Sequence, residues 1–279
     1  MGSIAQNPWG DASAALTIFC GRAADRNPKA MAGAQLLGAA LAAATGLDPH
    51  RVGTPQPPLG ARWQVELEAA RPGLQELGRT LAAAIAAGKH PLTVMGRCAA
   101  ALGTLPVIAG KCPGAAIVWF DAHGDCNTPE HTTTGYLGGM VLSGAAGRWE
   151  TGLGDGLALS RLVLVGARDL DPFERELIDR GEVLLLRPDD DLPTRLRTAL
   201  AGRPAYIHLD CDVLDPGIVP TEFQVPGGLS LAQLHDACTV LAQSGVAGLE
   251  IAEYEASWDD GTQGDPAHLI AALEPLLGR

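Results

Sequence analysis

The chain reads Ala115-Ala116-Ile117-Val118-Trp119-Phe120-Asp121-Ala122-His123-Gly124-Asp125 near its middle, and this stretch indicates both the fold class and the chemistry. Its first six residues are apolar, which is typical of a parallel strand covered on both faces. Asp121, His123 and Asp125 then alternate along the chain, so an extended backbone places them on the same side. Two carboxylates and an imidazole on one side form half of a metal site, although Asp also favours turns and could cap a loop here.

A second apolar run, Ala205-Tyr206-Ile207, leads into His208-Leu209-Asp210-Cys211-Asp212-Val213-Leu214-Asp215-Pro216. Asp210 and Asp212 share one face, while Asp215 precedes a proline and is predicted to shape the turn. Carboxylates gathered at neighbouring strand ends repel one another unless cations neutralise them. Oxygen-rich sites with one imidazole suit Mn²⁺ or Mg²⁺ better than Zn²⁺, and shared carboxylates indicate two ions.

Strand-like and helix-like segments alternate outward from these two stretches. This alternation predicts βαβ units and an α/β fold with one mostly parallel sheet. The polar stretch 121–139 follows a buried strand without any periodic pattern, and open α/β sheets bind ligands at such loops. No linker-like segment divides the chain, so we expect a single domain over residues 1–279.

The predicted strands span residues 16–20, 92–95, 115–120, 162–165, 183–186, 205–209 and 248–252. The predicted helices span residues 30–44, 64–87, 98–109, 173–180, 192–200, 231–243 and 267–277. Pro72 is a candidate break in the second helix, and Pro106 is expected to interrupt the third.

Composition and charge exclude several classes of protein. The 279 residues carry 20 Lys+Arg against 32 Asp+Glu, a formal net charge of -12, which argues against binding to nucleic acid or to an anionic membrane. No apolar run reaches the ~18 residues of a transmembrane helix, and the first ten residues lack the features of a signal peptide. The six cysteines are widely spaced without any CxxC pair, which indicates reduced thiols and a cytoplasmic location.

The two acidic motifs together resemble those of the arginase/agmatinase family, the ureohydrolases, which are dimanganese amidinohydrolases. The resemblance extends from about Leu92 to the end of the chain. It implies a three-layer arginase-like fold whose sheet has about eight strands flanked by helices. It also implies two Mn²⁺ ions bound by Asp121, His123, Asp125, Asp210 and Asp212, with Asp121 and Asp210 bridging them.

One expected metal ligand is replaced in this chain. The family has a His in a Gly-Gly-Asp-His turn after an earlier strand, whereas this turn reads Met95-Gly96-Arg97-Cys98. Cys98 therefore stands at the ligand position, and a thiolate is a softer ligand than an imidazole. We expect Cys98 to bind metal; the alternative is a buried thiol beside a weakly held or missing first ion.

The resemblance also implies a substrate site. Asn127, Thr132 and Thr134 match the residues that hold the substrate α-carboxylate, and Asp171 matches the acidic residue near the α-amino group. Glu253 matches the carboxylate that pairs with the guanidinium, and carboxylates do pair well with this planar group. Together these matches favour an arginine-like amino acid over agmatine.

A second departure lies in the loop after the first motif. Gly138 stands where arginases usually place a proton-shuttling His, and loss of such a group can cost about 10²–10⁴-fold in rate. His131, His208 or solvent could supply the proton instead. Cys98 and the run Thr134–Gly144 together resemble the branch of the family that hydrolyses Nω-hydroxy-L-arginine in D-cycloserine biosynthesis. Hydroxylation makes a guanidine less basic, which could relax the need for the missing His.

The sequence therefore predicts an amidinohydrolase that converts Nω-hydroxy-L-arginine or L-arginine to ornithine with hydroxyurea or urea. A hydroxide between the two Mn²⁺ ions would attack the guanidino carbon, Glu253 would orient the guanidinium, and Asp125 would carry the proton to the leaving amine. The alternatives are a ureohydrolase for another guanidino or formimino acid, or a non-catalytic relative with impaired metal binding. Family members often form homo-oligomers, and the same is possible here.

Overall fold

Eight parallel strands form one sheet in the computed structural model, which describes residues 13–278. The strand order is β2-β1-β3-β8-β7-β4-β5-β6. Residues 1–12 and Arg279 lie outside the described residues. The prediction that the first ten residues do not form a signal peptide therefore concerns a segment that the structure does not describe. The strands are β1 (Ala14–Phe19), β2 (His50–Val52), β3 (His90–Val94), β4 (Ala116–Phe120), β5 (Leu162–Val165), β6 (Leu184–Leu186), β7 (Ala205–Asp210) and β8 (Val246–Ala252).

Helices connect these strands and cover both faces of the sheet. They are α1 (Lys29–Thr45), α2 (Trp63–Ala86), α3 (Leu105–Lys111), α4 (Val141–Ala145), α5 (Pro172–Asp179), α6 (Leu192–Leu200), α7 (Leu231–Ser244) and α8 (Ala267–Ala272). Short 3₁₀ segments occupy Cys98–Leu102, Gly138–Met140, Leu159–Arg161, Cys211–Val213 and Glu274–Leu276. No helix in the described part of the chain is both long and apolar enough to cross a membrane.

The core consists of two apolar clusters, one on each side of the sheet. Alternate residues of β4 enter different clusters: Val118 and Phe120 pack with α1, α6 and α7, whereas Ile117 and Trp119 pack with α2, α3 and α4. A strand that buries both faces needs apolar residues at every position, which explains the continuous apolar run from Ala115 to Phe120. The predicted three-layer α/β fold is confirmed.

Three helical predictions differ from the structure. Helix α2 continues through Pro72, because its apolar face, with Leu67, Leu74 and Leu81 almost fully buried, compensates for the hydrogen bond that proline removes. The third predicted helix is divided at residues 103–104, and Pro106 lies in the first turn of α3, where proline is tolerated. The last predicted helix ends at Ala272 and continues as a 3₁₀ turn.

The strand order places four functional segments side by side. Parallel strands direct their carboxyl ends to the same edge of a sheet, where α/β proteins build their sites. Strands β3, β8, β7 and β4 are consecutive neighbours in the sheet. The chain after them carries, respectively, Cys98, Glu253, Asp212 and Asp121.

Candidate active site

Six potential metal ligands predicted from the sequence meet at this edge of the sheet. Their ligand atoms, together with a carboxylate oxygen of Glu253, form three overlapping groups, and within each group all atoms lie within 4.8 Å of one another. The groups are Cys98–Asp121–Asp125, Asp121–His123–Asp212 and Cys98–Asp210–Glu253. Asp121 belongs to two of these groups, as a carboxylate shared between two ions would. All members except His123 are buried.

Backbone hydrogen bonds orient the carboxylates before any cation binds. Asp121 accepts the backbone N–H of His123 (2.6 Å) and the indole N–H of Trp119 (2.9 Å). Asp210 accepts the N–H of Asp212 (2.7 Å), and Asp212 accepts that of Ala122 (3.0 Å). The hydrogen bond from the Ala122 N–H to Asp212 links the loop after β4 to the loop after β7, so it fixes the position of one motif relative to the other.

The electrostatics of this cluster favour cations. Burial, reinforced by neighbouring carboxylates, raises the pKa of Asp125 and of Asp210 well above the usual range of aspartate. Against the opposing effect of burial, the nearby carboxylates of Asp121 and Asp212 raise the pKa of His123 to about 12. Asp212 Oδ2 is buried and accepts no hydrogen bond among the described residues, although His123 Nδ1 lies 3.2 Å away. Crowded acids with a free oxygen fit divalent cations, which prefer oxygen-rich sites with few imidazoles.

Cys98 lies against a buried polar network. Its Sγ is 3.0 Å from Asp210 Oδ2 and 3.1 Å from His208 Nε2. The His208 ring stacks on Trp119 at 3.5 Å, and its Nδ1 lies 2.8 Å from Glu250. Glu250, fully buried, also accepts hydrogen bonds from the hydroxyls of Tyr206 and Thr104. Burial and the nearby Asp210 raise the pKa of the Cys98 thiol, so a bound cation would be needed to favour the thiolate.

Glu253 is attached to the turn after β3 by three contacts. Its backbone N–H donates to Gly96 O (3.0 Å), its Oε1 accepts the Cys98 N–H (2.9 Å), and its Oε2 accepts Arg97 Nη1 (2.7 Å). Burial raises its pKa to about 7, against the lowering effect of Arg97. Glu253 (φ 63°) and Asp125 (φ 48°) are two of the four non-glycine residues with positive φ in the described chain. Such strain concentrates at functional sites, and these two are the predicted catalytic residues.

The predicted substrate residues line one cavity with the metal-ligand cluster. The cavity has a volume of about 240 Å³, and Asn127, Thr132, Thr134 and Asp171 lie along its wall. Asn127 Nδ2 donates to Asp171 (2.8 Å), which leaves the buried Asn127 Oδ1 without a hydrogen-bond partner among the described residues. The structure therefore brings all the predicted site residues together. All of them line the cavity except Asp121, which belongs to the metal-ligand cluster but not to the cavity lining.

Sequence reasoning missed several lining residues, chiefly Arg26, Tyr136, Glu174 and Phe223. Glu174 closes the capping box of α5 and accepts the backbone N–H groups of Cys126 and Asp171. An Asp-Pro pair with Glu three residues after the Asp is the sequence signal that could have indicated it. Arg26 lies over the Tyr136 ring at 4.5 Å, and no local pattern predicts that contact.

Neither histidine considered as a substitute proton shuttle lines the cavity. His131 bonds Thr128 (2.7 Å) and stacks on Phe173 at 3.9 Å, facing a separate surface depression. His208 is fully buried behind Cys98. Tyr136 does line the cavity, and its hydroxyl is buried without a hydrogen-bond partner among the described residues.

Comparison with known proteins gives a consistent assignment. The model of the arginase family matches residues 27–273. An N(omega)-hydroxy-L-arginine amidinohydrolase from Streptomyces lavendulae is 40% identical over 244 residues, covering 88% of this chain and 89% of that protein. The crystal structure of Bacillus subtilis arginase superposes with a TM-score of 0.81 at 23% identity, covering 96% of this chain and 99% of that one. Entamoeba histolytica arginase, solved with L-ornithine, also gives 0.81 at 20% identity, with 96% and 99% coverage. The chain therefore belongs to the arginase family.

Proposed function

We propose that this protein hydrolyses the guanidino C–N bond of Nω-hydroxy-L-arginine or L-arginine, releasing ornithine with hydroxyurea or urea. The observation that carries the proposal is the convergence of Cys98, four aspartates and His123 with Glu253 around one cavity. Membership of the arginase family confirms the sequence-based prediction of a hydrolase for linear amidines. The identity of the substrate within that class is our proposal.

We further propose that two Mn²⁺ ions bind here. Cys98, Asp125 and Asp210 would hold one ion, His123 and Asp212 would hold the other, and Asp121 and Asp210 would contact both. The donor set supports this assignment, because it is rich in carboxylate oxygen and has only one imidazole. When bound, such a pair of cations supplies Lewis acidity and lowers the pKa of water, so that hydroxide is available near neutral pH.

The protein groups position the substrate and move protons. Glu253 accepts hydrogen bonds from the guanidino N–H groups, and its position is fixed from the turn after β3. Asp125, next to Asp121 in the cluster, carries a proton to the departing nitrogen, as a positioned carboxyl group can. Asn127, Thr132, Thr134 and Asp171 hold the α-amino and α-carboxylate groups.

Tyr136 takes the space of the missing histidine. Its hydroxyl is buried in the cavity wall, and burial together with the nearby Glu253 raises its pKa, which keeps it a neutral hydrogen-bond donor. A neutral phenol can donate to an N-hydroxyl oxygen or to the leaving nitrogen. This geometry, together with 40% identity to a relative named for Nω-hydroxy-L-arginine, favours the hydroxylated substrate. The six free cysteines support the proposal of a cytoplasmic location.

The test compares three substrates on the full-length protein loaded with Mn²⁺. Ornithine release is measured from Nω-hydroxy-L-arginine and L-arginine, and putrescine release from agmatine. We expect ornithine from the hydroxylated substrate and little or no putrescine. The absence of ornithine from both amino acids at full metal occupancy would contradict the proposed function. The variant Glu253→Gln serves as a negative control for contaminating activity.

A further inference from the structure

Arg97 is a fully buried cation beside the candidate active site. Its guanidinium contacts four carboxylates: Glu222 at 2.5 Å, Glu253 at 2.7 Å, Glu255 at 3.4 Å and Asp25 at 3.5 Å. A buried arginine held by several carboxylates has a fixed position, because leaving any of them unpaired is costly. Arg97 therefore keeps a fixed, buried position next to Glu253.

Two of these carboxylates also lie within ion-pair distance of another cation. Arg26 lies 3.7 Å from Glu222, and Lys29 lies 3.7 Å from Glu255. Within residues 13–278, only Arg97 lies within ion-pair distance of Glu253. The charge of Glu253 is therefore partly offset from inside the protein by a guanidinium, the same kind of group as in arginine, and Arg97 shares its charge with three other carboxylates.

Both oxygens of Glu253 are already engaged before substrate enters. Oε2 accepts Arg97 Nη1, and Oε1 accepts the Cys98 N–H. Each carboxylate oxygen has a second lone pair, so Glu253 can still accept hydrogen bonds from a neutral ligand. A charged ligand gains less, because the attraction of Glu253 is offset by the resident cation and by any metal ions in the cluster.

We propose that Arg97 makes this subsite selective for an uncharged guanidine. The inference rests on the proposed function and specifies which substrate the site prefers. The guanidinium of arginine remains charged at any physiological pH, whereas hydroxylation lowers the basicity of the group and allows an Nω-hydroxyguanidine to enter neutral. Arg97 is a positioning and specificity residue here, since it acts on the substrate through Glu253.

The first experiment uses the unmodified, Mn²⁺-loaded protein and two ligands of the same shape. L-Citrulline carries a neutral ureido group where L-arginine carries a guanidinium. Dissociation constants are measured by calorimetry, and inhibition constants against release of hydroxyurea. We expect citrulline to bind at least as tightly as arginine. Arginine binding about tenfold or more tightly, a difference of about 1.4 kcal/mol, would overturn the proposal.

The second experiment measures how far the protein prefers Nω-hydroxy-L-arginine over L-arginine, as the ratio of their kcat/KM values. Arg97→Gln should lower this ratio by about tenfold or more, because the carboxylate of Glu253 regains its attraction for a cation. Lys29→Gln is the matched control, because Lys29 is a cation of the same acidic cluster that contacts Glu255 but not Glu253. This variant should change the ratio less than about twofold.

The outcomes separate the role of Arg97 from the function itself. An equal loss on both substrates in Arg97→Gln would assign Arg97 a purely structural role and overturn the inference. If Arg97→Gln does not fold, the comparison of citrulline with arginine on the unmodified protein decides. If no ornithine forms from either substrate, the proposed function fails, and the calorimetric comparison still tests whether the subsite disfavours a cation.

Discussion

The aromatic ring of Tyr136 occupies the space beside Gly138. A Cβ added to Gly138 would lie 2.5 Å from Cε1 of Tyr136, closer than real contacts allow. The two residues therefore form one unit, in which the absence of a side chain at position 138 makes room for the ring. Under the proposed function, Tyr136 brings another polar side chain, from two residues earlier, to the region where the resemblance to arginases implies a proton-transferring residue.

Removing the hydroxyl of Tyr136 tests that exchange. We expect Tyr136→Phe to lower kcat for Nω-hydroxy-L-arginine by about 10- to 100-fold with little change in KM, because a donor used in the reaction is lost while the ring still fills its space. Steady-state kinetics at saturating Mn²⁺ provide the measurement, and an unchanged melting temperature is the folding control. An unchanged kcat would show that the phenol only fills space.

Cys98 is predicted to bind metal. Cys98→Ala should lower the affinity for the first of two Mn²⁺ ions by about tenfold or more, since a direct ligand is worth at least as much as the outer partners whose loss costs 10–100-fold. Calorimetric titration and metal analysis after dialysis give the readout. Cys211→Ala is the matched control, because Cys211 is a buried cysteine between Asp210 and Asp212 that packs in the core. Equal stoichiometry and affinity in both variants would contradict ligation by Cys98.

A histidine at position 98 should not restore the usual family site by itself. The Cys98 sulfur already lies 3.1 Å from the imidazole of His208, so a larger side chain would overlap that ring. We expect the single variant Cys98→His to have a lower melting temperature. The double variant Cys98→His, His208→Ala should recover much of that loss and bind two Mn²⁺ ions. Differential scanning calorimetry and metal titration would reveal the difference. A fully stable single variant would show that the site has more room than the structure indicates.

The metal-free protein should become more stable on mild acidification. Burial raises the pKa of Glu174 and of Glu253 to about 7, from an ordinary value of 4.5. The folded state therefore binds more protons than the unfolded state between these values, so the free energy of unfolding rises as the pH falls through 7 and the gain is complete below 4.5.

Melting temperatures at pH 8 and pH 5.5, in the presence of a chelator, measure this dependence. We expect a higher value at pH 5.5, a smaller difference when Mn²⁺ is bound, and a smaller difference in metal-free Glu174→Gln, which has one titrating carboxyl fewer. A melting temperature that falls on acidification over this range would be inconsistent with buried, protonated carboxyls at the site.

How much of the site could be predicted from the sequence depends on how far apart the interacting residues lie along the chain. Asp121, His123, Asp125, Asp210 and Asp212 were predictable because two short acidic motifs follow apolar strands. The extended backbone expected for these motifs was wrong, since Asp125 has φ 48° and Asp212 lies in the 3₁₀ segment Cys211–Val213. Strand β2 was not predictable, because its three residues begin with the exposed His50 and Arg51 and offer no apolar pattern. The contact of Arg97 with Glu253 joins residues 156 positions apart, so nothing near Arg97 indicates that its charge is buried. Tyr136 lies within the run Thr134–Gly144, yet its proposed role depends on the space next to Gly138, which the sequence does not show.

The position of β8 has a consequence for the order in which the molecule can assemble. This strand is synthesised last of the eight, yet it lies between β3 and β7 and is the only element in the described sheet that joins β2-β1-β3 to β7-β4-β5-β6. Before residues 246–252 leave the ribosome, Cys98 and the aspartates of the two motifs belong to separate half-sheets. Pairing across such a long sequence separation is slow. A chain that stops short of β8 would keep the four aspartates and His123 together after the paired strands β7 and β4, but it would lack Glu253 and leave Cys98 in the other half-sheet.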